Sequence, residues 1–226
     1  MHLELPIELH AGHAYLTIDD RLWVLDTGSP VTFGEGSHHP LEPQLPFVAK
    51  QGDVDATVVS EFLGVRIAGV VGSDFLNRHD HQIDLTSGHY AAYDRHFSAG
   101  RDYPLEFPER LHGIPTLKAS IGGQEGEFIF DTGAQLSYHL GPPPTDYAPG
   151  ETIWDFWHGC GSFQTQTFMK EVTFAQDAVP LRFGTPPPAL ADFLNTLGLH
   201  GVIGIDLISR HACSYAPRSK RMTIIR

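Results

Sequence analysis

Cysteine is nearly absent: the 226 residues include 2, Cys160 and Cys213. At most one disulfide can form, so no cross-linked framework holds the chain, and neither cysteine sits in a metal-type pair. Two free thiols are expected. Basic side chains are also scarce, 15 Lys and Arg against 27 Asp and Glu, for a formal net charge of −12. A surface of that sign repels phosphate backbones, which argues against nucleic acid as a partner. Long apolar runs are missing too, and none approaches the roughly 20 residues that a membrane-spanning helix needs. Met1-His2-Leu3-Glu4 lacks the basic start and apolar stretch of a secretory signal, and there is no room before Leu3 for a propeptide. The expectation is a cytoplasmic protein without a membrane partner. Its content of 41% hydrophobic and 19% charged residues is that of a folded globular chain, long enough for one large domain or two small ones.

Histidine is plentiful, with 14 residues. The clusters His38-His39 and His79-Asp80-His81 lack the defined spacing and further ligands of a metal site, so no metal is expected. The likelier use of so many imidazoles is titration, since full protonation carries the net charge past zero in mild acid.

Gly (23) and Pro (17) separate short apolar segments throughout. Leu3 to Leu9 alternates apolar and polar residues, as a half-buried strand does. Tyr15 to Ile18, Leu22 to Leu25, His89 to Tyr93, Phe128 to Phe130 and Met222 to Ile225 read as further strands. Helical periodicity is confined to Ala189 to Leu197, Val59 to Leu63 and Asp74 to Asn77. The chain is expected to be mainly β.

Two repeats organise it. Leu22-Trp23-Val24-Leu25-Asp26-Thr27-Gly28-Ser29 is answered 105 positions later by Glu127-Phe128-Ile129-Phe130-Asp131-Thr132-Gly133-Ala134. Gly69-Val70-Val71-Gly72-Ser73-Asp74-Phe75-Leu76 is answered at an offset of 132 by Gly201-Val202-Ile203-Gly204-Ile205-Asp206-Leu207-Ile208. The order is the same in both copies, so the chain reads as a duplicated unit whose second copy carries 27 extra residues between its motifs. The boundary is expected near Ser98-Ala99-Gly100, giving lobes 1–98 and 99–226, each just large enough for a β domain with its own core.

Each Asp follows an apolar strand and precedes Thr-Gly. Gly permits a tight turn there, and the Thr hydroxyl can bond neighbouring backbone. Two such turns related by a pseudo-twofold axis would face their carboxylates toward each other. The pair could not ionise fully at low cost, and would share one proton.

These turns resemble the active-site turns of aspartic proteases, and Val70-Val71-Gly72 and Val202-Ile203-Gly204 resemble the apolar-apolar-Gly segment behind them. Over nearly the whole chain the sequence is similar to the bacterial retropepsin-like aspartyl protease family, in a fused, single-chain form. The resemblance implies two pseudo-twofold related β-barrel lobes with an active-site cleft between them. It implies an endopeptidase acting on peptide or protein substrate, with Asp26 and Asp131 activating a water and no cofactor. Thr27, Gly28, Ser29, Thr132, Gly133 and Ala134 would support the dyad: the threonines would lock the turns together, and Ser29 would bond the outer oxygen of Asp26, as Ala134 cannot for Asp131. Strand-like termini would interleave into a sheet joining the lobes, and a monomer would be competent.

Such an enzyme needs a cover over its cleft. Thr152 to Trp157, His158-Gly159-Cys160-Gly161 and Ser162 to Phe168 read as strand, turn and strand within the surplus of the second half. Trp157, Gly159, Cys160 and Gly161 are the candidate substrate contacts of that flap; a core hairpin is the alternative reading. Phe47 to Val59 offers only a stub. Pro142-Pro143-Pro144 and Pro186-Pro187-Pro188 look like rigid spacers around the insertion. The competing function is a peptide-binding module that does not cut, although a binder has no need of both aspartates. A sugar hydrolase with paired carboxylates would leave the Thr-Gly after each Asp unexplained.

Overall fold

A computed structural model describes residues 2–93, 100–142, 148–175 and 177–225. The chain is mainly β. The expected boundary at 98/99 and Pro143-Pro144 lie outside the described residues.

The strand-like ends meet in one antiparallel sheet of six strands, ordered His2–His10, His89–Tyr93, Asp80–Asp84, Ala212–Ala216, Arg221–Ile225 and Arg101–Glu106. Three come from each half of the sequence. The join is the pairing of Cys213 with Ile83, Ser214 with Gln82 and Tyr215 with His81. Ile83, Tyr90, Tyr103, Cys213, Tyr215 and Ile224 put their side chains into the interior from this sheet.

Both sequence repeats adopt the same pairing. Trp23-Val24-Leu25 runs parallel to Gly69-Val70-Val71, and Phe128-Ile129-Phe130 parallel to Gly201-Val202-Ile203. In each case a short helix follows, Ser73–Leu76 or the 3-10 turn Ile205–Leu207. The halves differ in what surrounds this motif. In the second, six strands close on themselves: Thr116–Ile121, Gln124–Phe130, Gly201–Ile203, Ser137–His139, Asp177–Gly184 and Gly161–Phe174, which returns to the first. In the first half the strand Phe33–Gly34 finds only a single bridge to Val48 where the second half has a full strand.

The largest apolar cluster draws on both halves, with Leu16, Trp23 and Phe75 from one and Phe130, Phe183 and Met222 from the other. The halves therefore share a core, whereas the sequence suggested one core apiece. Smaller clusters of each half, Tyr15, Val24, Phe33, Ile67 and Val70 in the first and Ile129, Leu136, Tyr138, Leu190 and Val202 in the second, lie to either side.

Three short α-helices complete the architecture. Ala56–Leu63 starts at Asp55, whose carboxylate accepts from the Thr57 and Val58 amides, and ends at Gly64 in the left-handed region. Pro188–Thr196 opens with proline, so Pro188 begins a helix instead of extending a spacer. Ser73–Leu76 is a single turn. Among the described residues no helix is long and apolar enough to cross a membrane.

Several histidines are structural. His81 is buried in the joining sheet, with Nε2 2.8 Å from the Leu76 carbonyl and Nδ1 2.7 Å from the Tyr90 hydroxyl. A carbonyl can only accept, so Nε2 carries the proton and Nδ1 accepts from Tyr90. Burial lowers its pKa from 6.5 to about 4. Between those values the unfolded chain binds a proton that the folded chain refuses, so stability falls as pH drops through the window and levels off below it. The full effect is about 3 kcal/mol. Urea midpoints measured from pH 7 to pH 4 should fall accordingly, and His81→Gln should flatten the slope.

Candidate active site

Each Asp-Thr-Gly turn begins where a strand leaves the core. The Asp26 amide donates to the Val71 carbonyl at 3.0 Å, and the Asp131 amide to the Ile203 carbonyl at 2.9 Å. The parallel partner strand thus fixes the height at which each aspartate emerges. Oδ1 of Asp26 accepts from the Gly28 and Ser29 amides at 2.8 and 3.0 Å. Oδ1 of Asp131 accepts from the Gly133 and Ala134 amides at 2.9 and 3.2 Å. Behind the turns, the Gly72 amide donates to the Thr32 hydroxyl and the Gly204 amide to the Ser137 hydroxyl, each at 3.0 Å.

The threonines join the turns. The Thr27 amide donates to Thr132 Oγ1 and the Thr132 amide to Thr27 Oγ1, both at 3.0 Å. Each hydroxyl passes its own proton across, Thr27 to the Phe130 carbonyl at 2.7 Å and Thr132 to the Leu25 carbonyl at 2.8 Å. Both threonines are essentially inaccessible to water. Glycine is required next to them for a reciprocal reason. A side chain at Gly28 would overlap the Asp131 carboxylate, and one at Gly133 would overlap that of Asp26.

The carboxylates are thereby brought against each other, and the exposure they keep faces an internal cavity. Burial raises the proton affinity of Asp26 well above the carboxylate range, and the neighbouring charge and hydrogen bond of Asp131 push it the same way. Burial also raises Asp131, while the hydrogen bond from Asp26 favours its ionised form. One proton held between the two acids is the arrangement these effects favour.

Ser29 departs from expectation. Its hydroxyl lies 2.8 Å from the Val31 carbonyl and 2.8 Å from Gln51 Oε1, and only its amide serves Asp26. The asymmetry of the dyad therefore does not come from a Ser29 hydroxyl bond, because Gln51 and the local turn compete for that group.

The cavity above the dyad has a volume of about 210 Å³. One wall is apolar and comes from the first half, including Val24, Phe33, Val59, Phe62 and Val70. The opposite wall comes from the second half, including Ile129, Tyr138, Phe163, Leu190 and Val202. The helices Ala56–Leu63 and Pro188–Thr196 each contribute to one wall.

A hairpin covers it. Thr152–Trp157 pairs antiparallel with the start of Gly161–Phe174, with Trp157 opposite Gly161. Gln135, two residues beyond Gly133, donates to the Trp154 carbonyl at 2.9 Å. At the tip, His158 Nε2 donates to the Gln51 carbonyl at 3.1 Å, and the Phe156 and Phe62 rings lie 5.3 Å apart. Gln51 belongs to a two-stranded stub, Lys50–Gln51 with Val54–Asp55. The cover thus reaches across to the first half and is tied to both Asp-Thr-Gly turns, one through Gln135 and the other through Gln51 and Ser29.

Of the flap residues expected to meet a ligand, Trp157 lines the cavity. Gly159, Cys160 and Gly161 form the turn at its outer end, closed by the Cys160 amide on the Trp157 carbonyl at 3.0 Å, and do not line it. The geometry substitutes residues that the sequence did not single out: His13, Gln51, Tyr138, Asp155, Phe156 and His158. Asp155 carries the clearest overlooked signal, an acid at the centre of Ile153-Trp154-Asp155-Phe156-Trp157. His13 donates through Nδ1 to the Gly133 carbonyl at 3.0 Å, and burial lowers its proton affinity. Among the described residues, no group of three or more His, Cys, Asp or Glu side chains is placed to hold a metal ion.

No protein-family model matches this chain, and no match is found among the curated proteins.

The reciprocal threonine bonds make a direct stability claim. Thr27→Val keeps the shape but strands two buried backbone groups, the Thr132 amide and the Phe130 carbonyl. A loss of about 2–4 kcal/mol in chemical denaturation is expected. Thr27→Val combined with Thr132→Val should cost less than the sum of the single changes, because both act on one network.

Proposed function

We propose that this chain is an aspartic endopeptidase of the retropepsin-like kind, two pseudo-twofold related lobes fused in one polypeptide. The observation that carries the reading is the dyad: two carboxyl groups in matched Asp-Thr-Gly turns, cross-linked by their threonines, facing one cavity beneath a hairpin. Structural turns need neither the mutual burial nor the glycines that let each acid approach the other.

In this reading a water lies between Asp26 and Asp131. Asp131, ionised and held by two amides, takes a proton from the water as it attacks the scissile carbonyl. Asp26 gives its proton to the carbonyl oxygen, and the tetrahedral gem-diol forms. As the C–N bond breaks, Asp131 gives its proton to the leaving amine nitrogen and Asp26 takes one back from a gem-diol hydroxyl, leaving a carboxylic acid product and a pair that again holds one proton. The threonine bonds and turn amides keep both carboxyls in place while protons move, which limits reorganisation during the reaction. The apolar walls on either side of the dyad would receive the residues flanking the scissile bond.

The hairpin lies over the cleft, and in this reading it lifts for substrate to enter. Hydrogen bonds from Gln135, Tyr138 and His158 and ring contacts of Phe156, Phe163 and Trp157 hold its inner face, and a peptide backbone can replace those made to the Trp154 and Gln51 carbonyls. Such opening is the usual role of a cover that excludes water during reaction. Because one chain supplies both aspartates, we expect a monomer to be competent. The free thiols of Cys160 and Cys213 support a reducing, cytoplasmic setting.

The test is cleavage of a mixed peptide library from pH 3 to pH 8, with products read by mass spectrometry. Wild type should cut, with a bell-shaped pH profile whose alkaline limb lies above the ordinary carboxylate range, since burial raises the acid that must stay protonated. Asp26→Asn should reduce kcat/KM at least about 100-fold at every pH. Absence of cutting by wild type throughout the range would reject the protease, and the peptide-binding module would take its place.

A further inference from the structure

The hairpin strand Thr152–Trp157 hides its one charged residue. Asp155 is 4% exposed, whereas its neighbour Trp154 is 60% exposed. This inverts the usual pattern of a cover strand, in which the acid would face water and the indole the interior. Asp155 lines the cavity beside Asp131, and its negative charge raises the proton affinity of that acid.

Its carboxylate is held but not neutralised. The Tyr138 hydroxyl donates to Oδ2, and the Phe156 amide donates to Oδ1 at 2.7 Å. Among the described residues no Lys, Arg or His makes an ion pair with it. The other titratable groups that feel its field are His13, Tyr138 and Cys160. None is a cation: burial lowers His13, whose Nδ1 proton is engaged by Gly133. A buried carboxyl group that accepts hydrogen bonds but has no ion-pair partner can still take a cation beside it.

The surroundings define what cation would fit. The second-half wall of the same cavity, to which Asp155 belongs, carries Ile129, Trp157, Leu190, Phe193 and Val202. Such a trough suits the aliphatic stem of a long side chain whose charged head is held at the far end. Trp157, with its ring 5.4 Å from that of Phe193, adds an aromatic face of the kind that attracts ammonium and guanidinium groups. The opposite wall, with Val24, Phe33, Val59 and Val70, has no such charge. The net charge of −12 would draw cationic peptides toward the molecule.

We propose that Asp155, oriented by Tyr138, makes the subsite on the second-half side of the dyad selective for a basic side chain, lysine or arginine, while the first-half subsite takes an apolar one. The inference rests on the reading of the cavity as a peptide cleft. Asp155 is on this view a specificity-determining residue and takes no part in proton transfer.

The experiment uses capped hexapeptides with leucine on one side of the central bond and either lysine or norleucine on the other, made in both orders. Affinities are measured by calorimetry on the Asp26→Asn chain, so that turnover does not interfere. In one of the two orders lysine should bind at least 10-fold tighter than norleucine, and adding Asp155→Asn should bring that ratio to one or below. A ratio below about threefold in both orders, or one that survives Asp155→Asn, overturns the proposal. Should the Asp155→Asn chain fail to fold by circular dichroism, the ratio in its parent decides. Cleavage of the same peptides by wild type is scored separately. Lysine preference without cleavage rejects the dyad as a protease and keeps Asp155 as a recognition residue, and cleavage without preference does the reverse.

Discussion

Everything in the cleft depends on four hydrogen bonds between two threonines. Each threonine gives its amide to the other's hydroxyl and its hydroxyl proton to a carbonyl one residue before the opposing aspartate. The network has no slack: every donor has one acceptor, and all of it is buried. A rigid cross-link at this point fixes the separation of two strands from distant parts of the chain. With Thr27 and Thr132 locked, the next residue on each side has to be glycine, and the residue before it is forced against its counterpart. The proximity of the aspartates is thus a consequence of backbone geometry, maintained against their mutual repulsion by neutral hydrogen bonds.

That repulsion is relieved by a shared proton, and the low dielectric that makes the sharing necessary has to be maintained. The hairpin and the two apolar walls supply it. The roof is tied down at Gln135, which follows one Asp-Thr-Gly turn, and at Gln51, which touches the other through Ser29. Closing the cover and burying the dyad are therefore one structural event. The extra residues of the second half serve both ends of it, since the strand Gly161–Phe174 is half of the hairpin and also a stave of the closed barrel. The base of the roof is therefore continuous with the barrel wall.

The paired Asp-Thr-Gly turns, their apolar partner strands and the hairpin were legible in the sequence because each is a local demand: glycine at close approach, β-branched runs in a buried strand, glycines at a tip. The helix read at Ala189 to Leu197 occupies Pro188–Thr196 for the same reason. What escaped was set at long range. The direction of the Ser29 hydroxyl depends on Gln51, 22 residues away. His13 meets the second turn only because the two halves pack, 120 positions apart in sequence. The inward turn of Asp155 requires Tyr138 to receive it, and nothing near residue 155 announces that partner. The shared core was hidden as well, since an alternating pattern marks a buried face without saying which half buries it.

Burial acts on acids and bases with opposite signs, and this chain uses both. It raises the dyad, so that the pair keeps its proton into solutions where an ordinary carboxylate would be fully ionised. It lowers His81 in the joining sheet, so that the fold loses stability as pH falls from the ordinary imidazole range toward about 4, below which the folded imidazole itself takes a proton and the loss levels off. A dyad of ordinary acidity would hold its shared proton only in the range where the sheet beneath it was being weakened. Raised proton affinity in the cleft is therefore what lets the two requirements overlap. The shift moves that overlap away from acid, toward the range in which His81 is neutral in the folded and unfolded chain alike and the joining sheet is at full strength.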